Sequence, residues 1–263
     1  MSDKMTPLLD LRNVTVMRGN NVALDRLTLQ IAAGEHVCIL GPNGSGKSTL
    51  IKTITRECYP VQRDDSGVSI LGRSVWNIFE LRPLLGIVSP DQLAVCTTDA
   101  TGMDVVLSGF FSSTRIFPHH HLAEEHRERA KAALARLRIA HLAERPVLEM
   151  SSGEAKRTLI ARSLVHEPKT LLLDEPGSAL DISGQLELRA TLRELANAGL
   201  GIVLVTHHVP EIIPEIERVV LLQKGRVVGD GPKEKVLTSE QLSALFGAHV
   251  WVIREDGYFH VHA

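Results

Sequence analysis

Gly41-Pro42-Asn43-Gly44-Ser45-Gly46-Lys47-Ser48-Thr49 carries the most tightly spaced chemistry in the chain. The spacing G-x-x-x-x-G-K-S supplies what a triphosphate needs. Glycines let successive backbone N–H groups converge on the phosphates, and the helix that follows adds its positive N-terminal end. Lys47 is then expected to reach the β- and γ-phosphates and the Ser48 hydroxyl to ligate Mg²⁺. The plain alternative is a Gly/Ser turn before a helix. A second group of candidates ends the apolar run Leu171-Leu172-Leu173-Asp174-Glu175. A parallel sheet delivers such residues and a phosphate loop at the carboxyl ends of its strands. Asp174 is therefore expected to hold Mg²⁺ through water, and Glu175, one residue further out, to polarise the water that attacks the γ-phosphate. For Glu175 the alternative is a solvated acid at a strand end.

Met150-Ser151-Ser152-Gly153-Glu154 reads as a helix start. Ser151 and Glu154 fit the S-x-x-E capping box, in which the serine caps the third amide and the glutamate returns to the serine amide. Such a start offers free N–H groups and a positive dipole end, worth about 0.3–1 kcal/mol for an exposed anion and up to ~2 when partly buried. It is a second phosphate-binding device, although an ordinary capped helix explains the segment equally well. The tract His119-His120-His121, with His126, His260 and His262 elsewhere, suggests a metal only superficially. Adjacent histidines converge poorly on one ion and no supporting carboxylate pattern accompanies them, so an exposed loop is expected.

These groups must be positioned by a mixed architecture. Residues 8–31 alternate through Leu9, Leu11, Val14, Val16, Val22, Leu24, Leu27, Leu29 and Ile31 around the turn Arg18-Gly19-Asn20-Asn21, as a hairpin does. Ala33-Gly34-Glu35 turns into a buried strand over 36–40, and Leu50, Ile51 and Ile54 mark the inner face of the helix after the phosphate loop. Residues 60–72 read as short strands about the turn Asp64-Asp65-Ser66-Gly67, and Leu85 to Ser89 as another. From about 91 to 165 the pattern is that of a helical insertion. Strands at 171–173, 201–206 and 219–222, alternating with helices at 154–166 and 183–197, imply a parallel sheet. A short helix, Ser239 to Phe246, and a strand pair around Trp251 and Tyr258 close the chain.

The 263 residues suffice for a core, and a net charge of −2 gives no basic footprint for nucleic acid. Cys38, Cys58 and Cys96 are too few and too scattered for a disulfide framework or a zinc site, which fits a reducing cytosol. The N-terminal residues lack an apolar leader core, and the longest apolar runs are too short to span a bilayer. No second phosphate loop or internal repeat is present, so one nucleotide-binding unit is expected, held at a membrane only by another subunit.

Taken together these residues resemble the ATPase subunit of ABC transporters over nearly the whole chain. Gly41 to Thr49 matches the Walker A loop, Gln92 the Q-loop glutamine, Met150 to Glu154 the signature, Leu171 to Glu175 Walker B, Ser178-Ala179-Leu180-Asp181 the D-loop, and His207 the switch histidine. Asp104 to Ser113 and the Ser-Ser-Gly-Glu signature look like the branch that includes molybdate-associated ATPases. The sequence departs from the family pattern at several places. Arg18 stands where an aromatic residue usually stacks on adenine, Gln92 lies about two residues late, Ser152 replaces a glycine and Glu154 a glutamine. An Arg guanidinium can itself stack on a base. An acid near γ-phosphate is unfavourable unless Glu154 turns back into its capping box.

The resemblance implies a P-loop NTPase of the ABC type: an α/β fold with a parallel core sheet, an antiparallel β subdomain and a helical subdomain over about 91–165, all one ATP-binding domain spanning 1–263. It implies a cytoplasmic, peripheral homodimer that sandwiches two ATP molecules with Mg²⁺ and powers a separate integral membrane subunit. Arg18 and residues Gly41, Asn43, Gly44, Ser45, Gly46, Lys47, Ser48 and Thr49 would bind nucleotide, with Ser151, Gly153 and Asp181 completing the partner's site. Ser48, Gln92 and Asp174 would meet the metal, and Glu175, His207 and Gln92 would serve catalysis. A soluble ABC ATPase that never meets a membrane and a low-turnover regulatory nucleotide-binding module stay open as alternatives.

Overall fold

The computed structural model describes residues 6–81 and 83–263. Its strands are β1 (Leu9–Arg18), β2 (Asn21–Ile31), β3 (Val37–Leu40), β4 (Gly67–Ile70), β5 (Leu85–Val88), β6 (Thr170–Asp174), β7 (Gly201–Thr206), β8 (Arg218–Gln223), β9 (Arg226–Pro232), β10 (Trp251–Glu255) and β11 (Tyr258–His262). The helices are α1 (Lys47–Ile54), α2 (Ile78–Leu81), α3 (Pro90–Cys96), α4 (Gly102–Ser108), α5 (Glu124–Arg136), α6 (Ser152–Leu164), α7 (Ile182–Asn197), α8 (Lys233–Val236) and α9 (Ser239–Phe246). The chain forms two compact units, one of residues 1–78 with 201–263 and the other of residues 79–200.

In the first unit β3 is flanked by β7 and β8, both parallel to it, with Leu40 opposite Thr206 on one side and Leu221 on the other. Strands covered on both faces read as continuous apolar runs, and Val37 to Leu40 are fully buried. Strand β9 adds antiparallel to β8 through the Lys224-Gly225 turn. Nothing in the sequence reading anticipated this strand, because Arg226 to Pro232 alternates weakly and contains two glycines. The N-terminal hairpin forms as expected, and β4 joins it in a three-stranded antiparallel sheet ordered β2-β1-β4. Of the short strands expected about the turn Asp64–Gly67, the one after the turn forms, while none is found over 60–66. Only Gly67–Ile70 is extended, and Leu71 and Gly72 turn away, Leu71 with φ of 48°. The closing helix and the β10–β11 hairpin lie where the pattern put them.

The second unit pairs β5 and β6 in parallel, Leu85 opposite Thr170 and Val88 opposite Leu173. Helices α3 to α6, the expected helical segment, lie inside this unit, with α6 packed against α3, α4, α5, α7 and β5. Local sequence explains each start. Ser89 caps α3 ahead of Pro90, Thr101 and Asp104 form a capping box on α4, and Asp181 caps α7 through Gly184 N at 2.8 Å. Val105, Val106, Leu107, Leu134, Leu159, Ile160 and Leu192 fill the core between the helices.

Candidate functional site

The phosphate loop follows from the ends of the first unit's strands. Gly41 N donates to Thr206 O at 3.2 Å as β3 gives way to the loop, beside the start of the His207 segment. A Cβ on Gly41 would meet Leu222 O at 2.2 Å, and one on Gly46, whose φ is 108°, would meet Ala23 O at 2.6 Å. Both glycines are thus required by close backbone approach, and Gly46 also by its left-handed conformation. Helix α1 starts directly at Lys47 with no side-chain cap, so its first N–H groups point toward whatever anion the loop receives.

Lys47 is 5% exposed, and its ammonium donates to Gly41 O at 2.7 Å and Pro42 O at 3.1 Å. Ser45 is buried, while Asn43, Gly44 and Ser48 are exposed and Thr49 is half-buried. Arg18 stands exposed at the end of β1, with Nη1 3.5 Å from Cys58 Sγ, which anchors its guanidinium beside the segment after α1. His207 is half-buried against the His208 ring, 3.8 Å between centroids.

The other expected residues belong to the second unit. Asp174 ends β6 as a buried carboxyl, 7% exposed, and Glu175 follows with φ of 49°. A non-glycine residue held there costs about 1–3 kcal/mol, and such strain gathers where a side chain must be aimed. Here it takes the backbone at Glu175 out of the extended geometry of β6. Ala179 repeats the left-handed backbone at φ 59°, so the turn 175–179 is bracketed by two unusual conformations. A cavity of about 100 Å³ brings Asp174 and Glu175 together with Ser89, Ser152, Lys156 and Ser178. Gln92 is half-buried near the start of α3, and its Oε1 is buried with no hydrogen-bond partner among the described residues.

The capping box at the start of α6 forms in full. Ser151 N donates to Glu154 Oε2 at 2.8 Å, and Glu154 N donates to Ser151 Oγ at 3.3 Å. The backbone N–H of Ser151 is the main reason the Glu154 carboxyl titrates below its ordinary range, opposed by partial burial and helped by the Ser151 hydroxyl, Arg145 and Arg157. The acid is thus turned back on its own helix start, and Ser151 and Ser152 stay exposed there. Gly153 faces α7, and a Cβ on it would make ordinary contact with Gly184 Cα at 3.8 Å.

Two features escaped the sequence reading. Lys156 is buried on the apolar side of α6, and the signal was a lysine at the spacing that places Leu159 and Ile160 inward. The histidine tract is the other. His119 and His121 are exposed as expected, but His120 stacks on Phe111 at 4.2 Å and His126 on Phe110 at 4.5 Å. The tract thus belongs to an aromatic layer, and no cluster of three or more His, Cys, Asp or Glu residues suited to a metal ion occurs among the described residues.

A glycine loop opening an uncapped helix, with a buried strand that ends in Asp-Glu, defines a nucleoside-triphosphate-hydrolysing class of protein. Comparison with known proteins gives the family. The model of the ABC transporter family matches residues 24–178. The hemin import ATP-binding protein HmuV of Bradyrhizobium diazoefficiens is 31% identical, covering 96% of this chain and 93% of that protein. The cobalt import ATP-binding protein CbiO of Rhodobacter capsulatus is 34% identical, covering 92% and 85%. A dimeric ATP-binding cassette in a post-hydrolysis state, bound to ADP and phosphate, matches with a TM-score of 0.70 and 29% identity, over 85% of this chain and 98% of that one. The chain belongs to the ABC transporter family as an ATP-binding subunit, an ATPase coupled to transport.

Proposed function

We propose that this chain is the energising subunit of an importer for a metal-bearing cargo, acting as a homodimer on the cytoplasmic face of a membrane and bound to a separate integral membrane subunit. Family membership supports the membrane partner, and the dimeric ADP-bound relative supports the homodimer. Among the described residues no helix is long and apolar enough to cross a membrane. The cargo class rests on the hemin and cobalt import relatives. The narrower likeness to molybdate-associated ATPases, carried by Asp104 to Ser113 and the Ser-Ser-Gly-Glu signature, would add a metal oxyanion to that class.

The observation that carries the reading is the closed Ser151–Glu154 capping box, which leaves an anion-attracting helix start with its one acid tied back. Ser151 and Gly153 receive the γ-phosphate of the partner's ATP there, and Asp181 completes that contact. Gly41 through Thr49 wrap the phosphates, Lys47 neutralises them, and Arg18 stacks on the base. The proposed Mg²⁺ ligands, the Ser48 hydroxyl, the Asp174 carboxylate and Gln92 Oε1, are each the hard oxygen type that the ion takes. When bound, it neutralises charge on the phosphate oxygens. Glu175 orients and deprotonates the attacking water, and His207 contacts the γ-phosphate. The chain spanning 1–263 works in this reading as one ATP-binding domain.

Co-expression with tagged candidate membrane subunits and reconstitution into vesicles tests the proposal. ATP-dependent uptake of cobalt, hemin or molybdate is the expected result. Hydrolysis at full rate with no membrane protein retained would favour a soluble ABC ATPase.

A further inference from the structure

The residue with no place in that account is Lys156. Helix α6 buries Ala155, Thr158, Leu159, Ile160 and Leu164, and Lys156 lies among them at 6% exposure. An ammonium on the apolar side of a helix is costly unless hydrogen bonds replace its water. Here the Nζ donates to the main-chain carbonyl of Ser178 and lies 3.4 Å from Ser178 Oγ.

Ser178 belongs to the short turn that follows Walker B. Its own N–H donates to Glu175 O at 3.2 Å, and Leu180 N donates to Gly177 O at 3.2 Å. Glu175 and Ala179, with φ of 49° and 59°, bracket this turn. Local preference does not favour that backbone, so contacts from outside must over-determine it. Lys156 is such a contact, fixed on a helix that is itself pinned to α7 by the Arg157–Glu187 ion pair at 3.0 Å.

We propose that Lys156 is a positioning residue for hydrolysis: it holds the Ser178 turn and, through it, the aim of the Glu175 carboxylate. The inference rests on the reading of Glu175 as the residue that orients water. It predicts a loss in the chemical step and none in nucleotide capture, since the contacts that carry it are those to the turn after Walker B.

The test is a double-variant cycle on the full chain. Hydrolysis of Mg-ATP and affinity for a fluorescent ATP analogue are measured for the parent, Lys156→Met, Glu175→Gln and the double variant. Lys156→Gln is carried alongside so that the cycle stands if the Met variant does not fold. Lys156→Met should bind the analogue as the parent does and lose about 10–100-fold in kcat, the scale on which small misplacements of reacting groups act. In the Glu175→Gln background the same change should cost almost nothing, because the group it aims is already disabled. Parental kcat in Lys156→Met, or an equal loss in both backgrounds, would overturn the proposal while Glu175→Gln remained inactive. Glu175→Gln turning over at the parental rate would instead remove the reading beneath it.

Discussion

Lys47 Nζ donates to Gly41 O at 2.7 Å, so the cation of the phosphate loop is held by the first carbonyl of its own loop. A second bond runs to Pro42 O at 3.1 Å, so backbone carbonyls help replace water around the ammonium of a residue that is 5% exposed.

Replacing Lys47 by Ala removes both backbone bonds and the charge proposed to meet phosphate. A charge-assisted hydrogen bond is worth about 1.5–3 kcal/mol, so ATP affinity should drop roughly 10–100-fold, with turnover falling as well. Titration with a fluorescent ATP analogue and a phosphate-release assay measure the two. Unchanged affinity would remove the loop from the nucleotide site.

The parts legible in the sequence are those set by short-range rules. Val37 to Leu40 read as a buried strand, Gly41 to Lys47 as a glycine turn into a helix, and Ser151 with Glu154 wrote out their own capping box. Features that depend on distant partners were not legible. Strand β9 exists because β8 offers an edge, not because Arg226 to Pro232 alternates strongly. Lys156 was passed over because only the fold brings the Ser178 carbonyl to it. The histidine tract looked like bare loop because its phenylalanine partners, Phe110 and Phe111, are ordered against it only in three dimensions.

Glu154 gives the capping box a pH signature. Its carboxyl is held below the ordinary value of 4.5, chiefly by the Ser151 N–H, so the unfolded chain binds the proton more readily. The stabilisation is therefore complete above about pH 4.5 and is lost as pH falls through the lower folded value. Thermal midpoints of the parent and Glu154→Gln should differ by a constant amount from pH 7 to 5 and converge below. A difference independent of pH would mean the charge contributes nothing.

Arg18 tests base recognition. If its exposed guanidinium stacks on adenine, Arg18→Ala should weaken ATP binding by about 0.5–1 kcal/mol, or two- to fivefold. Arg18→Tyr should preserve or strengthen it, since the ring offers a comparable stacking face. Equal affinity in all three proteins would leave Arg18 as a hairpin residue anchored to Cys58.

The central claim is that Glu175, aimed from a left-handed turn, drives the water attack that separates an ATP-bound pair of subunits. Glu175→Gln keeps the shape and hydrogen bonding but removes the proton-accepting charge. Hydrolysis should fall about 10²–10⁴-fold while ATP still binds. Phosphate release read beside size-exclusion chromatography in Mg²⁺ and ATP measures both consequences at once. The account predicts an inactive protein that accumulates as a nucleotide-bound dimer, and a Glu175→Gln protein that hydrolyses ATP at the parental rate and stays monomeric would contradict it.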